Sequence, residues 1–387
     1  MTGHLLRGRV VTPDGVLDDA VLVVEGDRIS SVTPTERLRG ELAGRDLPDP
    51  VGILLPGLVD VHCHGGGGAA FTLGDEAQVA AAAAHHLAQG TTSVVASAVT
   101  DSPERMLATV RAAAAAATRG EVAAIHLEGP FLSTARCGAQ DPRHLRAPDL
   151  ALARDLLQAG GGHVRVMTLA PELPGADALV ELLVEHDVVA AVGHTEASAA
   201  TTARTLAGQP HGLVTHLFNG MPPLHHRGPG PVGGALAAAA HGDARVELIA
   251  DGVHLADETV SLVFSLLGAD RVVLVTDAMA AAGMPDGDYS LGPQDVTVRD
   301  GVARLHGDGE QLSIAGGTAR LVEVLRRVVQ RAGVGLADAV ACASTVPATV
   351  LGLADEVGAL RPGLRADVLV VDDDLRPLRV MKAGAWV

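Results

Sequence analysis

The sequence predicts a TIM-type (β/α)8 barrel with a small β-sandwich domain built from both ends of the chain. Eight apolar runs of strand length alternate with helix-length, alanine-rich segments through the middle of the 387 residues. This alternation is typical of a parallel sheet that is buried on both faces. The two ends instead carry short β-prone runs separated by turns. An open doubly wound sheet is the alternative that the same alternation allows.

The terminal segments predict one β domain assembled from both ends. Short strands are expected at residues 8–12, 21–24 and 28–32, and again at residues 358–360, 366–371 and 379–383. Turn sequences such as Pro13-Asp14-Gly15 and Pro362-Gly363 separate them. We therefore expect residues 1–54 and 356–387 to form the two parts of the β-sandwich domain, with residues 55–355 as the catalytic barrel between them.

The barrel is predicted from eight strands and the helices between them. The strands are expected at residues 57–64, 91–98, 122–128, 164–171, 188–194, 213–219, 246–254 and 271–277. Helices are expected between them, among others at residues 77–89, 103–117, 150–158 and 176–186. The alanine tracts at residues 80–84, 112–117 and 237–240 are strong helix formers.

The charge balance argues against several classes of partner. The chain has 46 acidic and 29 Lys or Arg residues, which gives a formal charge of −17. Such a chain repels nucleic acid and anionic membranes. Aromatic residues make up only 2% of the chain, so platforms for stacking single-stranded nucleic acid are scarce. The single lysine, Lys382, lies near the end of the chain, which excludes a lysine-based mechanism in its body.

Cysteine usage and hydropathy indicate a cytoplasmic protein. Three widely spaced cysteines fit no disulfide framework. The first residues lack the apolar stretch of a signal peptide, and the chain has no apolar run of 18 residues. A membrane partner is therefore not expected.

Titratable side chains are concentrated where the predicted barrel strands end. The strand-end residues of this kind are His62, His64, Glu128, His194, His216, Asp251, His254 and Asp277. In a barrel these ends meet at one rim, where active sites form. His62 and His64 are two residues apart on a strand, so both point the same way and can bind one cation. Imidazole together with carboxylate suits zinc, and also iron, manganese or cobalt.

Each of these residues also has a structural explanation when taken alone. A strand-end histidine is often a hydrogen-bonded loop residue, Glu128 could pair with an arginine, and Asp277 could cap a helix. Their joint position favours a metal site, because otherwise each would need its own partner in the barrel mouth. Cys63 is expected to be a small buried hydrophobe facing away from the histidines. Histidines 85, 86, 163, 186 and 241 are expected to be solvated or core residues.

The motifs resemble a known family along essentially the whole chain. The run from Pro56 to Gly65 is similar to the opening strand of the amidohydrolase superfamily barrel. The segments His-Leu-Glu-Gly-Pro-Phe, from residue 126, and His-Leu-Phe-Asn-Gly-Met, from residue 216, resemble the N-acetylglucosamine-6-phosphate deacetylases within it. Many binuclear amidohydrolases bridge their metals with a carbamylated lysine, which this chain cannot provide; the deacetylase branch uses its strand-three glutamate, here Glu128.

The resemblance implies a ligand set and a substrate-binding set. Glu128, His194 and His216 would hold the principal metal, and His62 and His64 would hold a second, with Glu128 bridging. One or two divalent ions are therefore expected, with zinc first. Asp277 would be the catalytic base that takes a proton from the attacking water and returns it to the leaving amine.

The resemblance also implies the parts of a phosphosugar site. Its substrate-binding residues are expected to be Gln140, Asn219, Gly220, Arg227 and His254. Arg227 would form a bidentate contact with the phosphate. Gln140 departs from relatives that have a histidine there, so it can donate a hydrogen bond but carries no charge. The loop at residues 133–142 is the candidate lid, and a homodimer is expected.

The implied reaction is hydrolysis of the acetamide of N-acetylglucosamine-6-phosphate to glucosamine-6-phosphate and acetate. A deacetylase of the galacto epimer, or another metal-dependent amidohydrolase, is the alternative within enzymes. A non-catalytic barrel that has lost its metals is the alternative from another class, but all six residues of the predicted metal rim are present.

Overall fold

The strands and helices are those of a computed structural model, which describes residues 3–41, 47–306 and 313–387. The strands are β1 (Gly3–Thr12), β2 (Gly15–Glu25), β3 (Arg28–Pro34), β4 (Pro50–Pro56), β5 (Leu58–Cys63), β6 (Gly65–Gly66), β7 (Ala69–Ala70), β8 (Thr91–Ala98), β9 (Ala124–Glu128), β10 (Val164–Leu169), β11 (Val189–Val192), β12 (Gly212–Val214), β13 (Ala244–Leu248), β14 (Val272–Leu274), β15 (Gly287–Leu291), β16 (Gln294–Arg299), β17 (Val302–Leu305), β18 (Val368–Val371), β19 (Pro377–Lys382) and β20 (Ala385–Trp386).

The helices lie mostly between the barrel strands. They are α1 (Thr35–Glu41), α2 (Glu76–Ala88), α3 (Pro103–Thr118), α4 (Leu150–Ala159), α5 (Ala176–Glu185), α6 (Ala199–Ala207), α7 (Gly230–His241), α8 (Asp257–Leu267), α9 (Leu321–Gln330), α10 (Leu336–Cys342) and α11 (Thr345–Val350). Short 3-10 helices cover Phe71–Leu73, Thr134–Arg136 and Ala269–Arg271.

Several helices, α2 and α3 among them, begin where a side chain caps the first turn. The Asp75 carboxylate accepts from the backbone N–H groups of Ala77 and Gln78 at the start of α2. Ser102 accepts from the Arg105 N–H, and Pro103 occupies the first turn of α3, where a missing N–H costs nothing. Two of the alanine tracts therefore lie on helices with defined starts.

Eight strands form the predicted barrel, which confirms the fold class. Their order is β5-β8-β9-β10-β11-β12-β13-β14, and neighbouring strands are parallel. The two edge strands meet through the residues that follow them: Cys63 forms a parallel bridge with Ala278, and the Asp277 N–H donates to the His62 carbonyl at 2.9 Å. The barrel is therefore closed by residues of the predicted metal rim.

Both ends of the chain contribute to one separate sheet. Its order is β20-β19-β18-β4-β1-β2-β3, so three strands from the end of the chain continue four from its beginning. β4 pairs in parallel with β1 and antiparallel with β18, and Gly57 links it directly to the first barrel strand. Leu22, Leu54 and Met381 are fully buried in the core of this sheet. The exact domain boundaries stay a prediction.

Several predicted strands end earlier than the apolar pattern indicated. β12 ends at Val214, not at residue 219, because His216 and Phe218 have left-handed φ angles of 30° and 79° that break the extended conformation. β11, β13 and β14 likewise end at Val192, Leu248 and Leu274. Most of the predicted site residues therefore lie in the turns after the strands.

Two further predictions about secondary structure were wrong or incomplete. The strand predicted at residues 358–360 is absent, because residues 358 and 359 form bends and residue 360 has no regular structure; Gly358 has a left-handed φ of 92°. An antiparallel sheet, β15-β16-β17, follows the last barrel strand and was not predicted. Within the described residues, no helix is both long and apolar enough to cross a membrane.

Candidate active site

The six predicted metal-rim residues meet at the carboxyl ends of the barrel strands. They form two groups of three, each with its ligand atoms within 4.8 Å of one another. The first group is His62, His64 and Asp277, and the second is Glu128, His194 and His216. Although they come from five different strand ends, the barrel brings all six together as the sequence predicted.

The first group joins the start of the barrel to its end. The Nε2 atoms of His62 and His64 lie 3.2 Å apart. Both face Asp277, whose Oδ1 lies 3.4 Å from His62 Nε2 and 3.1 Å from His64 Nε2. This convergence requires the barrel to close, because His62 lies near the end of β5 and Asp277 follows β14, and these are the two edge strands.

The second group is centred on Glu128, the last residue of β9. Its Oε1 lies 3.0 Å from the Nε2 atoms of both His194 and His216. Those two nitrogens are 3.1 Å apart. Glu128 also reaches the first group, with Oε2 3.2 Å from His64 Nε2 and Oε1 3.6 Å from His62 Nε2. The Glu128 carboxylate thus lies between the two groups, where a bridging ligand belongs.

The ring nitrogens on the far side of three histidines are already hydrogen-bonded. His64 Nδ1 donates to the Ser97 carbonyl at 3.0 Å, and His194 Nδ1 donates to the Arg136 carbonyl at 2.8 Å. His62 Nδ1 donates to the Glu247 carboxylate at 3.0 Å. In the neutral ring, each of these bonds leaves the lone pair on Nε2, which faces the site.

These donors fit a divalent cation. Converging Nε2 atoms of neutral rings have no hydrogen to share with one another or with the carboxylates, so their common partner is a cation. All six side chains are buried, and carboxylates buried without a compensating charge are costly. Imidazole nitrogen with carboxylate oxygen is also the donor set that zinc and related ions prefer.

The surrounding charges keep both carboxylates ionised. Burial raises the pKa of Glu128, but with protons on the facing rings the charge of His62 and the hydrogen bonds of His194 and His216 outweigh it, so the pKa lies well below its ordinary value. A bound cation would take the place of those protons. Burial also raises the pKa of Asp277, whereas the charge of His62 and the contact with His64 lower it to about 2. The site therefore presents negative charge to a cation.

Backbone strain accompanies the ligand residues. His194, His216 and Asp277 have left-handed φ angles of 48°, 30° and 47°, which cost side-chain-bearing residues about 1–3 kcal/mol each. The turns that aim these side chains into the barrel mouth are thus unfavourable locally. Gly220 contributes to the same arrangement, because a Cβ there would lie 2.9 Å from the His194 ring nitrogen.

A cavity of about 230 Å³ opens directly above the two groups. Of the predicted substrate-binding residues, Gln140, Asn219, Gly220 and His254 line it. Gln140 is buried and donates to Glu128 Oε2 at 2.6 Å, while its own carbonyl accepts from the Thr100 N–H. Gln140 therefore positions the central carboxylate in addition to facing the cavity.

Arg227 is placed differently. Its side chain is exposed, its Nη1 lies 2.7 Å from His226 Nε2, and it is not among the residues that line the cavity. It follows the same turn as Asn219 and Gly220, before helix α7. The structure therefore brings four of the five predicted substrate-binding residues to the cavity and leaves Arg227 outside its wall.

Sequence reasoning missed one wall of the cavity and several supporting residues. Leu291, Ser313, Ile314 and Gly316 line the cavity, and Leu291 ends β15 of the unpredicted sheet. The turns Gly292-Pro293 and Asp300-Gly301 were a signal for these hairpins. The supporting residues that were missed are Glu247, Asp60, Ser97 and Thr276.

Cys63 and His86 are buried as their structural interpretations predicted, and His126, for which no role was predicted, is buried as well. His126 is buried between Ser97 and Thr168, and burial lowers its pKa well below the ordinary value. Cys63 is fully buried, and its Sγ lies 3.2 Å from Nε2 of the buried His86. Neither His126 nor Cys63 joins the ligand groups.

The family model for the amidohydrolase family matches residues 53–387. The chain belongs to the amidohydrolase family. It is 34% identical to the N-acetylglucosamine-6-phosphate deacetylase of Bacillus subtilis (strain 168) over 384 residues, covering 97% of this chain and 94% of that protein. It is also 34% identical to the N-acetylgalactosamine-6-phosphate deacetylase of Escherichia coli O157:H7 over 390 residues, covering 98% of both chains.

Solved structures agree with this assignment. A mutant N-acetyl-D-glucosamine-6-phosphate deacetylase from Mycobacterium smegmatis, in complex with N-acetyl-D-glucosamine-6-phosphate, is 40% identical, with a TM-score of 0.92 over 100% of this chain and 99% of that one. A deacetylase from Thermotoga maritima is 30% identical, with a TM-score of 0.86 over 100% of this chain and 99% of that one. The resemblance to this deacetylase group is thereby confirmed, and the family implies a divalent metal.

Metal retention tests the central position of Glu128. Replacing Glu128 by Ala removes the carboxylate that both groups share, so we expect bound divalent metal to fall by a factor of about 10 or more. Metal content after dialysis, measured by mass spectrometry against Glu185→Ala on the exposed face of α5, checks this. Metal retention equal to that of the parent would contradict the assignment.

Proposed function

We propose that this chain hydrolyses the acetamide of N-acetylglucosamine-6-phosphate to glucosamine-6-phosphate and acetate. The observation that carries the proposal is the pair of ligand groups around Glu128 on the floor of a cavity. The substrate is supported by the mutant Mycobacterium smegmatis relative, whose structure is a complex with that sugar phosphate.

The proposed cofactor is one or two divalent ions held by the two groups. Zinc is the preferred candidate, with iron, manganese or cobalt as alternatives. When bound, such an ion lowers the pKa of water to about 7 and polarises a carbonyl oxygen. The Glu128–His194–His216 group would hold the principal ion. His62 and His64 of the other group would hold an additional ion, with Glu128 shared.

Asp277 is the proposed general base and acid. Its carboxylate lies at the mouth of the barrel, lines the cavity and is ionised, so it can accept a proton from the attacking water. The same group then returns the proton to the amine nitrogen as the amide bond breaks. This second transfer protonates the amine nitrogen, which makes the amine a better leaving group.

The cavity wall provides the proposed substrate contacts. Asn219, Gly220 and His254 face the cavity from the turns after two strands, and Gln140 faces it from the loop at residues 133–142. Arg227 is proposed to bind the phosphate, because its guanidinium can form two parallel hydrogen bonds to phosphate oxygens. Since Arg227 lies outside the wall, this contact requires its side chain to turn toward the cavity from its exposed position.

The sugar epimer is the point on which the alternatives differ. The relative from Escherichia coli O157:H7 is named for the galacto substrate, and it is as similar to this chain as the Bacillus subtilis relative. A galacto-specific deacetylase would keep the same metal groups and the same base. The homodimer and the cytoplasmic location stay predictions from the sequence.

Acetate release tests the proposal directly. We expect acetate from N-acetylglucosamine-6-phosphate, with much weaker release from the unphosphorylated sugar and from the galacto epimer phosphate. Release from the galacto epimer alone would keep the chemistry and change the substrate. Release from none of the three, with metal confirmed bound, would contradict the proposed substrate class.

The role of Asp277 predicts a selective loss of turnover. In Asp277→Asn an amide replaces the base, so kcat should fall by about 10² to 10⁴-fold. The metal of the Glu128 group should be retained, because none of its ligands changes. Turnover close to that of the parent, at equal metal content, would exclude Asp277 as the base.

The proposed phosphate contact predicts an effect on substrate affinity. Arg227→Ala should raise the KM for the phosphorylated sugar by about tenfold or more, because a hydrogen bond to a charged group contributes about 1.5–3 kcal/mol. Activity on the unphosphorylated sugar should not change, and Arg204→Ala on helix α6 is the matched control. An unchanged KM for the phosphorylated sugar would place the phosphate elsewhere.

The hydrogen bond between His254 and Asp251 predicts that substrate binding depends on pH. Burial lowers the pKa of His254, but the hydrogen bond from its Nδ1 to Asp251, at 2.8 Å, and the charge of Asp251 raise it above the ordinary value. His254 is proposed to contact the phosphate together with Arg227. Phosphate favours the imidazolium, so binding is strong below this pKa and weakens as the pH rises through it.

In Asp251→Asn the pKa of His254 should fall, so the rise of KM with pH should begin at a lower pH than in the parent. KM measured between about pH 6 and pH 9, around the ordinary histidine value, checks this. Because titration of the substrate phosphate is common to both proteins, it cancels in the comparison. Superimposable profiles would show that His254 does not bind the phosphate.

A further inference from the structure

Glu247 is a buried acid whose neighbours in sequence are apolar. It lies on β13 between Val246 and Leu248 and is fully inaccessible to solvent. A carboxylate buried in a barrel is costly unless strong donors compensate it. An apolar residue would fit the buried strand at lower cost, so the contacts that the carboxylate makes need an explanation.

Both side-chain hydrogen bonds of Glu247 are made by one oxygen. His62 Nδ1 donates to Oε2 at 3.0 Å, and the backbone N–H of His216 donates to the same oxygen at 3.0 Å. His62 belongs to the first ligand group and His216 to the second. A single carboxylate oxygen therefore connects the two groups, through His62 Nδ1 and the His216 backbone, whereas Glu128 faces the Nε2 atoms of the same rings.

The contact with His62 distinguishes this ring from the other candidate ligands. His64 and His194 donate through Nδ1 to neutral backbone carbonyls, and His216 Nδ1 is buried without a hydrogen-bond partner. Among the four rings, only His62 donates through Nδ1 to a carboxylate. A carboxylate partner makes the opposite nitrogen of the ring a better metal ligand than a neutral carbonyl does.

The contact with His216 acts on the backbone. His216 has a left-handed φ of 30°, a conformation that persists only where its surroundings hold it. The Glu247 oxygen accepts from the N–H of this strained residue, and the Glu247 carbonyl accepts from the next N–H, that of Leu217, at 2.9 Å. Glu247 thereby fixes the turn that aims the His216 ring at Glu128.

We propose that Glu247 is a positioning residue for both metal-ligand groups, and that its charge sets the metal affinity of the His62–His64–Asp277 group. The inference rests on the proposed metal centre. It does not depend on which sugar is the substrate. Its test therefore measures metal binding without substrate, so that failure of the inference and failure of the proposed reaction are separate results.

The first variant removes the charge and keeps the geometry. In Glu247→Gln the amide oxygen can still accept from both donors, so the His216 turn should persist. We expect the affinity of the His62–His64–Asp277 group for Zn²⁺ or Co²⁺ to fall about 10- to 100-fold, the usual effect of losing such a partner. The affinity of the Glu128 group should change by less than about threefold.

The binding event is assigned with a second variant. His64→Ala removes a ligand of the first group only, so the event that it abolishes in a calorimetric or Co²⁺-absorption titration belongs to that group. Glu247→Gln should weaken this same event. Asp367→Asn is the control for a buried acid, because Asp367 pairs with Arg365 in the terminal part of the chain; it should change the melting temperature without changing either metal affinity.

The outcomes separate a positioning role from a purely structural one. His64→Ala identifies the binding event that belongs to the His62–His64–Asp277 group. If Glu247→Gln binds metal in that event with an affinity within twofold of the parent, the inference is overturned. If this variant does not fold, Glu247→Asp tests the same contact, because it keeps the charge and withdraws the oxygen by one methylene. We then expect Glu247→Asp to bind metal more weakly in that event, and an affinity equal to that of the parent would again overturn the inference.

Discussion

The burial of negative charge at the barrel mouth is the constraint on which the rest of the site depends. Glu128, Asp277 and Glu247 are all buried there, and like charges in a poorly solvated space repel one another strongly. The four imidazoles that surround them cannot neutralise this charge as neutral rings. A cation does so, and it also uses the Nε2 lone pairs that the far-side hydrogen bonds leave facing inward. Metal binding is therefore what makes this arrangement of side chains favourable.

Barrel closure and assembly of the site are the same event. The seam between β14 and β5 consists of the Cys63–Ala278 bridge and the hydrogen bond from the Asp277 N–H to the His62 carbonyl. Asp60 reinforces the seam, because its carboxylate accepts from the Thr276 hydroxyl at 2.6 Å. His62 and Asp277 can face one metal only when this seam is formed. Bound metal should in turn hold the seam closed, since ligands from both edges share it.

The sequence predicted the barrel and the six rim residues because both leave local patterns. Apolar runs identify strands, and titratable residues at their ends identify the rim. Glu247 left no such pattern: in Val-Glu-Leu it looks like one polar residue on a strand, and its partner His62 is 185 residues away. The turn after β12 was also hidden, because the left-handed φ angles of His216 and Phe218 occur in a run that is apolar enough for a strand. Long-range contacts and backbone strain were the missing information.

Chemistry and substrate choice are located in different parts of this fold. The proposed metal ligands and the proposed base lie at the ends of the barrel strands and in the turns that follow them, whereas Leu291, Ser313 and Ile314 bring a wall from the region of the added three-stranded sheet. Relatives named for the gluco and galacto substrates are equally similar to this chain overall, so overall similarity does not identify the preferred orientation of the one hydroxyl in which these sugars differ. That orientation must be distinguished by the side chains that surround the sugar ring. Changes in that wall can therefore alter the preferred sugar while the buried charges, the strained turns and the closing seam stay as they are.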